Sequence, residues 1–305
     1  MNKTCIVIAG PTAVGKTALA VDIARHFSTA IISADSRQCY RELNIGVAKP
    51  SAAELAQVHH YFVDSHSVHD NVSAADFEKY ALEAAARIFE HSDVAVMTGG
   101  TGLYIRAFCE GMDPIPPVEE AIRKQVTEAY ALHGIQWLQE EIRTADPDFF
   151  EKGEMQNPQR MMRALEVKRS SGQSILSYQT NAKVKRDFNI IRVALELPRE
   201  GLYERINRRV DEMMAAGLAN EVKSLLPYQS LNALQTVGYR ELFAYHEGEI
   251  SLSRAVELIK QHTRHYAKRQ MTWFKKDPAF SWYAPQYDVL LKGILAEMDQ
   301  QALRV

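Results

Sequence analysis

The segment Gly10-Pro11-Thr12-Ala13-Val14-Gly15-Lys16-Thr17 satisfies G-x-x-x-x-G-K-[ST] at every constrained position. It follows an apolar run, TCIVIA over Thr4–Ala9. It leads into Leu19, Ala20, Ile23, Ala24 and Phe27 at helical spacing. A strand, a glycine turn and a helix in that order open an α/β domain. The glycines let backbone N–H groups converge on an anion, and the helix N-terminus adds positive potential. Lys16 then reaches terminal phosphate oxygens, and the Thr17 hydroxyl is suited to Mg²⁺. The loop does not identify its ligand. ATP, another nucleotide and an organic diphosphate present the same oxygens.

Further strands are expected at Ala30–Ala34 (AIISA), Val94–Met97 and Ile190–Leu197 (IIRVALEL). Ser73 opens a capping-box-like start, with Phe77, Ala81, Ala84 and Ile88 recurring on one helical face. About ninety residues separate the third strand from the fourth, far more than a crossover connection needs. That stretch begins at the stiff linker Asp113-Pro114-Ile115-Pro116-Pro117 and is helical in pattern. The expected fold class is α/β: a P-loop NTPase-like parallel sheet flanked by helices, with a helical insertion domain. The core takes residues 1–112 and 190–305, and the insertion takes 113–189, which contacts the substrate described below.

The net charge of −2 excludes a chain that binds nucleic acid through its overall charge, so such a role falls to local patches. Three cysteines, Cys5, Cys39 and Cys109, form no CxxC pair, which fits a reducing compartment. The first apolar run is too short for a signal-peptide core, and no stretch approaches membrane-spanning length. The expected location is cytoplasmic, with no membrane partner and a monomer as the default state. His59, His60, His66 and His69 lie near Asp64 and Asp70, but their spacing fits no standard zinc pattern.

The second strand runs into Ser33-Ala34-Asp35-Ser36-Arg37-Gln38. A carboxylate at the carboxyl end of a strand beside a P-loop points into the same crevice. It can hold Mg²⁺ or act as a general base. The third strand exits at Thr98-Gly99-Gly100-Thr101, where the glycines permit close backbone approach and Thr101 supplies a hydroxyl. Asn157-Pro158 reads as an N-cap with Pro at the first helical position, followed by Gln159, Arg160 and Arg163 on one face. From Lys260 to Lys276 there are six basic residues and no acid. Lys260, Arg264 and Lys268 recur every four residues, and Arg269 adjoins them. A phosphate-tracking surface is expected there, with Tyr266, Trp273 and Phe274 mainly in the core.

Together the pieces GPTAVGKT, DSRQCY (Asp35–Tyr40), HHYFVD, SAADF, GGTGLYIRA (Gly99–Ala107), QRMMRALEV (Gln159–Val167), VGYRE and KRQMTWF resemble the tRNA dimethylallyltransferase family. They occur in family order and span most of the chain. The resemblance implies Mg²⁺-dependent transfer of a dimethylallyl group from its diphosphate to the exocyclic amine of the adenine 3′ of the tRNA anticodon. Asp35 is then the general base. Lys16, Thr17 and the loop amides stabilise the leaving diphosphate. Thr101 positions the reacting groups.

The family pattern RIxxRVxxM matches at Arg205–Met213 and makes Arg209 the expected diphosphate clamp. The tRNA-contact residues implied are Asp35, Ser36, Arg37, Gln38, Thr101, Arg123, Gln159, Arg160, Met161, Met162 and Arg163, with Arg264, Lys268 and Arg269 on the basic helix. Arg37 stands where many relatives carry Met. The chain ends at Val305 without the zinc finger of many eukaryotic members, which gives it a bacterial look. The rival readings are a P-loop small-molecule kinase, a prenyltransferase of free adenine nucleotides and an RNA-binding GTPase-like module. The last lacks an N/T-K-x-D guanine-reading motif.

Overall fold

The computed structural model describes residues 3–180 and 182–303. They fall into two compact units, Met1–Glu110 with Lys185–Val305, and Gly111–Val184.

The first unit is built on β1 (Thr4–Ala9), α1 (Lys16–His26), β2 (Ile31–Ser33), α2 (Ala52–Gln57), β3 (His60–Tyr61), α3 (Ala74–Ile88), β4 (Val94–Gly99) and α4 (Gly102–Glu110). In the second unit, α5 (Glu120–Ala145) breaks at Gly134, and α6 (Pro147–Lys152) and α7 (Pro158–Ser171) follow. The chain then re-enters the first unit with β5 (Asn189–Leu195), α8 (Arg199–Ala215), α9 (Leu218–Ser224), α10 (Tyr239–His246), α11 (Leu252–Lys275), β6 (Ser281–Tyr283) and α12 (Tyr287–Ala302).

The six strands form one sheet in the order β3-β2-β4-β1-β5-β6, every pair parallel. β1 and β4 are buried along their whole length, as expected for strands covered by helices on both faces. The side-chain alternation of β1 divides the core. Cys5, Val7 and Ala9 face a cluster with Phe77, Phe108, Tyr239 and Phe274. Ile6 and Ile8 face a second cluster with Leu19, Ile23, Ile206 and Ile294. This places the loops after β1, β2 and β4 at one edge of the sheet, where open α/β folds bind ligands. Against their expected bounds β2 is shorter, β4 extends to Gly99 and β5 ends at Leu195, while β3 and β6 lie outside the expected strands.

The capping box at Ser73 is formed, with Asp76 reciprocating. In the second unit, the Asn157 side chain accepts from the Gln159 and Arg160 amides and caps α7, with Pro158 in its first turn. That unit has its own core of Val126, Leu138, Ile142, Phe149, Met161, Leu165 and Val167. Met161 and Met162, expected among the tRNA contacts, belong to this core. Both side chains are buried there and fix the helix, and the surface is left to Gln159 and Arg160.

Candidate active site

Three loops converge at the carboxyl edge of the sheet. In the phosphate loop, Gly10 and Gly15 take φ of 145° and 104°, and Ala13 takes 65°. A Cβ on Gly10 would lie 2.9 Å from the Leu195 carbonyl oxygen, so the loop passes against β5 without room for a side chain. The Lys16 ammonium donates to the Pro11 carbonyl at 2.7 Å. Burial pulls the Lys16 pKa down to about 7, Asp35 opposes the drop and Arg209 adds to it. These three charges therefore feel one another in a partly dehydrated site.

Asp35 follows β2. Its Oδ1 accepts from the Arg37 and Gln38 amides at 2.9 and 3.3 Å, an Asx-type turn that fixes the carboxylate through one of its two oxygens. Gln38 locks the next turn. Its amide nitrogen donates to the carbonyls of Val47 and Ala48, and its oxygen accepts from the Ser33 hydroxyl. Thr101, at the start of α4, accepts from the Ser36 amide at 3.0 Å and donates to the Ser36 hydroxyl at 3.3 Å. Thr101 thus holds the Asp35 loop in register with β4.

Two cavities meet among these loops. One, about 210 Å³, is lined by Thr12, Gly15, Lys16, Thr17, Gln38 and Glu54. The other, about 330 Å³, is walled in part by Val47, Ile206, Val210, Met213, Leu218, Val237 and Ile259 and in part by polar side chains that include Ser36, Arg37, Thr236, Arg240, Thr263 and Arg269. Asp35, Arg209 and Tyr266 line both. A phosphate nest therefore opens directly into a chamber walled in part by apolar side chains, with a carboxylate and a guanidinium where the two join. Burial lowers the Arg209 pKa from its ordinary value. Glu212, which pairs with Arg208 at 3.6 Å, opposes that drop. Arg205 donates to the Val14 carbonyl at 3.3 Å and so braces the loop.

Sequence reasoning missed three contributors. Tyr266 lines both cavities and interacts with Thr101. Burial pushes its phenol up to about 12, which keeps it a neutral donor. Glu221 accepts from the Ile45 and Gly46 amides at 2.8 and 3.1 Å and from the Tyr239 hydroxyl at 2.6 Å. It thereby anchors the loop that carries Val47. Gln270 spans two of the converging loops. Each of the three is polar on an otherwise apolar helical face, which was the available signal.

The basic helix is more divided than its spacing implied. Lys260 pairs with Asp211 at 2.5 Å, and Lys275 pairs with Glu196 at 3.2 Å. Arg264 donates to Asn207 and lies over the Tyr203 ring, so it ties α11 to α8. Lys268 and Arg269 are exposed. Phe274 is buried as expected, whereas Trp273 is 39% exposed.

In the second unit, Arg123 and Arg163 approach the same carboxylate, Glu166, at 3.9 and 3.6 Å. Burial raises the Glu166 pKa against the pull of both arginines. This shared anion orders two of the expected contact residues side by side, next to exposed Gln159 and Arg160.

The sheet and its cleft define a P-loop α/β enzyme, with an anion nest joined to a chamber walled in part by apolar side chains. The family model of IPP transferase matches residues 38–277. The chain is 45% identical to a protein named tRNA dimethylallyltransferase 1 from Bacteroides thetaiotaomicron, over 93% of this chain and 92% of the relative. Among solved structures it is similar to the full-length tRNA isopentenylpyrophosphate transferase of Bacillus halodurans, with a TM-score of 0.70 and 32% identity over 98% of this chain and 96% of that one. It is also similar to a eukaryotic dimethylallyltransferase acting on tRNA, with a TM-score of 0.71 and 26% identity over 89% and 69% of the two chains. The chain belongs to the IPP transferase family.

Proposed function

We propose that this protein transfers a dimethylallyl group from dimethylallyl diphosphate to the exocyclic N6 amine of the adenine 3′ of a tRNA anticodon, releasing diphosphate. The observation that carries the reading is the direct opening of the phosphate nest into a chamber with an apolar wall, with Asp35 at their junction. A kinase delivers a phosphoryl group to a polar acceptor. Val47, Ile206, Val210, Met213 and Ile259 form a wall suited to a hydrocarbon chain.

The primary allylic carbon spreads positive charge along its alkene, and negative charge grows on the departing diphosphate. Preorganised donors where that charge develops are the main catalytic term. Lys16, the amides opening α1 and Arg209 supply them. Asp35 accepts a hydrogen bond from the amine, orients it and takes its proton. Thr17 and Glu54 offer hard oxygen donors beside the nest and would hold Mg²⁺. Such an ion neutralises diphosphate charge when bound.

The target base leaves its stack to reach Asp35. Gln159, Arg160, Arg163 and Arg123 serve the RNA from the second unit, and Lys268 and Arg269 serve it from α11. Arg264 has a structural share in that helix as well.

The test is incubation with labelled dimethylallyl diphosphate, Mg²⁺ and unmodified tRNA. Label on the adenine beside the anticodon is the expected result. Unlabelled tRNA together with ATP turnover would favour the kinase, and labelling of free adenosine phosphates alone would favour the nucleotide prenyltransferase. In the same assay, Arg160→Ala with Arg163→Ala should weaken tRNA binding. The slope of log affinity against log salt should fall by roughly one to two. A slope equal to the wild-type value would remove these arginines from the phosphate contact.

A further inference from the structure

The buried stripe of α11 contains Ala255, Ile259, Ala267 and Phe274, and Gln270 falls among them at 6% exposure. A buried amide is destabilising unless both of its ends are bonded. Here both are. The Thr12 amide donates to Oε1 at 2.8 Å, and Nε2 donates to the Gly100 carbonyl at 2.9 Å. The partners dictate this orientation, since an N–H only donates and a carbonyl only accepts.

Thr12 belongs to the phosphate loop. Gly100 directly precedes Thr101, which holds Ser36 and through it the Asp35 turn. A Cβ on Gly100 would lie 2.2 Å from Nε2, so the glycine makes room for the amide. One side chain from a third element therefore joins the wall that grips the leaving group to the wall that carries the base.

We propose that Gln270 is a positioning residue that sets the register between the departing diphosphate and the incoming amine, and so couples cleavage of the prenyl donor to transfer. This rests on the prenyl-transfer reading given above. In the coupled reaction the bond from the allylic carbon to the diphosphate oxygen breaks and its electron pair leaves with diphosphate. The carbon–nitrogen bond forms, and the amine proton passes to Asp35. With the register lost, the same bond still breaks in the nest, but water supplies the new carbon–oxygen bond. Its proton goes to solvent, and the products are dimethylallyl alcohol and diphosphate. A misplacement of about 1 Å between reacting groups is enough to lower transfer by on the order of a hundredfold.

The experiment measures diphosphate released per prenyl group incorporated, using dimethylallyl diphosphate and an unmodified anticodon stem-loop RNA. The wild-type ratio should be about one. Gln270→Leu should lower transfer by on the order of tenfold to a hundredfold while diphosphate release falls much less, so the ratio climbs well above one. Its KM for dimethylallyl diphosphate should stay within about threefold of wild type.

Gln270→Glu keeps the acceptor for Thr12 and loses the donor to Gly100, so it should uncouple to a smaller degree. Gly100→Ala reaches the same linkage from the other side and should also raise the ratio. Should the leucine variant fail to give a cooperative melt, these two decide the matter. Variants whose transfer and release fall together, ratio unchanged, overturn the register role alone. A wild-type protein that places no prenyl group on the RNA overturns the prenyl-transfer reading, and this role with it.

Discussion

Asp35→Ala is expected to leave dimethylallyl diphosphate binding within about threefold of wild type and to lower turnover on tRNA by on the order of 10²- to 10⁴-fold. The separation follows from the geometry. In the proposed reaction the diphosphate is held by the loop amides, Lys16 and Arg209, none of which needs Asp35 as a hydrogen-bond partner. Asp35 is itself held by two backbone amides through Oδ1, so its removal takes away a fixed acceptor rather than a mobile one. Adenine's amine is a poor nucleophile because its lone pair is delocalised into the ring, and an aligned carboxylate is most useful to such a group as its proton becomes acidic during attack.

Asp35→Asn distinguishes orientation from proton removal. Asparagine retains an acceptor oxygen and the turn, but it is not a base. Single-turnover rates with prebound donor are the right measurement, because they isolate the chemical step. Two results would count against the role of Asp35. One is an alanine variant with wild-type single-turnover rates; the other is a loss seen only in donor affinity.

The parts of this site that could be read from sequence are those where one residue type at a fixed spacing serves one physical need. The P-loop is such a case, since glycine spacing, Lys16 and Thr17 together specify an anion nest. The Asn157–Pro158 helix start and the Ser73 capping box are others, because the side chain and its partner lie within three residues. Four strands, β1, β2, β4 and β5, followed from apolar runs, whereas the short edge strands β3 and β6 carry no such run.

The rest depended on residues far apart in sequence. Gln270 meets Thr12 across 258 positions, and Glu221 meets Gly46 across 175. Neither local propensity nor spacing encodes such a bond. The only trace is a polar residue on an apolar stripe, and many such residues merely satisfy themselves. The basic stripe of α11 misled for a related reason. Helical spacing placed Lys260, Arg264 and Lys268 on one face correctly. It could not show that Asp211 and Asn207 of α8 engage the first two. Met161 and Met162 lie inside a motif read as RNA-contacting, yet their burial shows that part of the motif serves packing.

Lys16→Met should remove most of the donor affinity and lower turnover by on the order of 10²- to 10³-fold, the range seen when one preorganised donor to a developing oxyanion is deleted. The wild-type lysine also makes a pH prediction whose sign is fixed. In the free protein burial holds the Lys16 pKa at about 7, so the side chain loses its proton as pH rises through that value. Bound diphosphate favours the ammonium form and raises the pKa. Between the free and bound values, binding therefore takes up a proton. Donor affinity measured without Mg²⁺ should be fully present below about pH 7. It should then decline by up to about tenfold per unit as pH rises further, until the pKa of the bound state is reached.

Calorimetry at about pH 8 in two buffers of different ionisation enthalpy reads this directly as an uptake approaching one proton. The uptake should vanish in Lys16→Arg, whose guanidinium stays charged throughout. That variant also subtracts any proton contributed by the ligand. An equal uptake in the arginine variant would assign the proton to another group. A flat affinity profile in the wild type would mean that Lys16 enters the cleft already charged, and its catalytic weight would then lie in geometry rather than in a proton gained on binding.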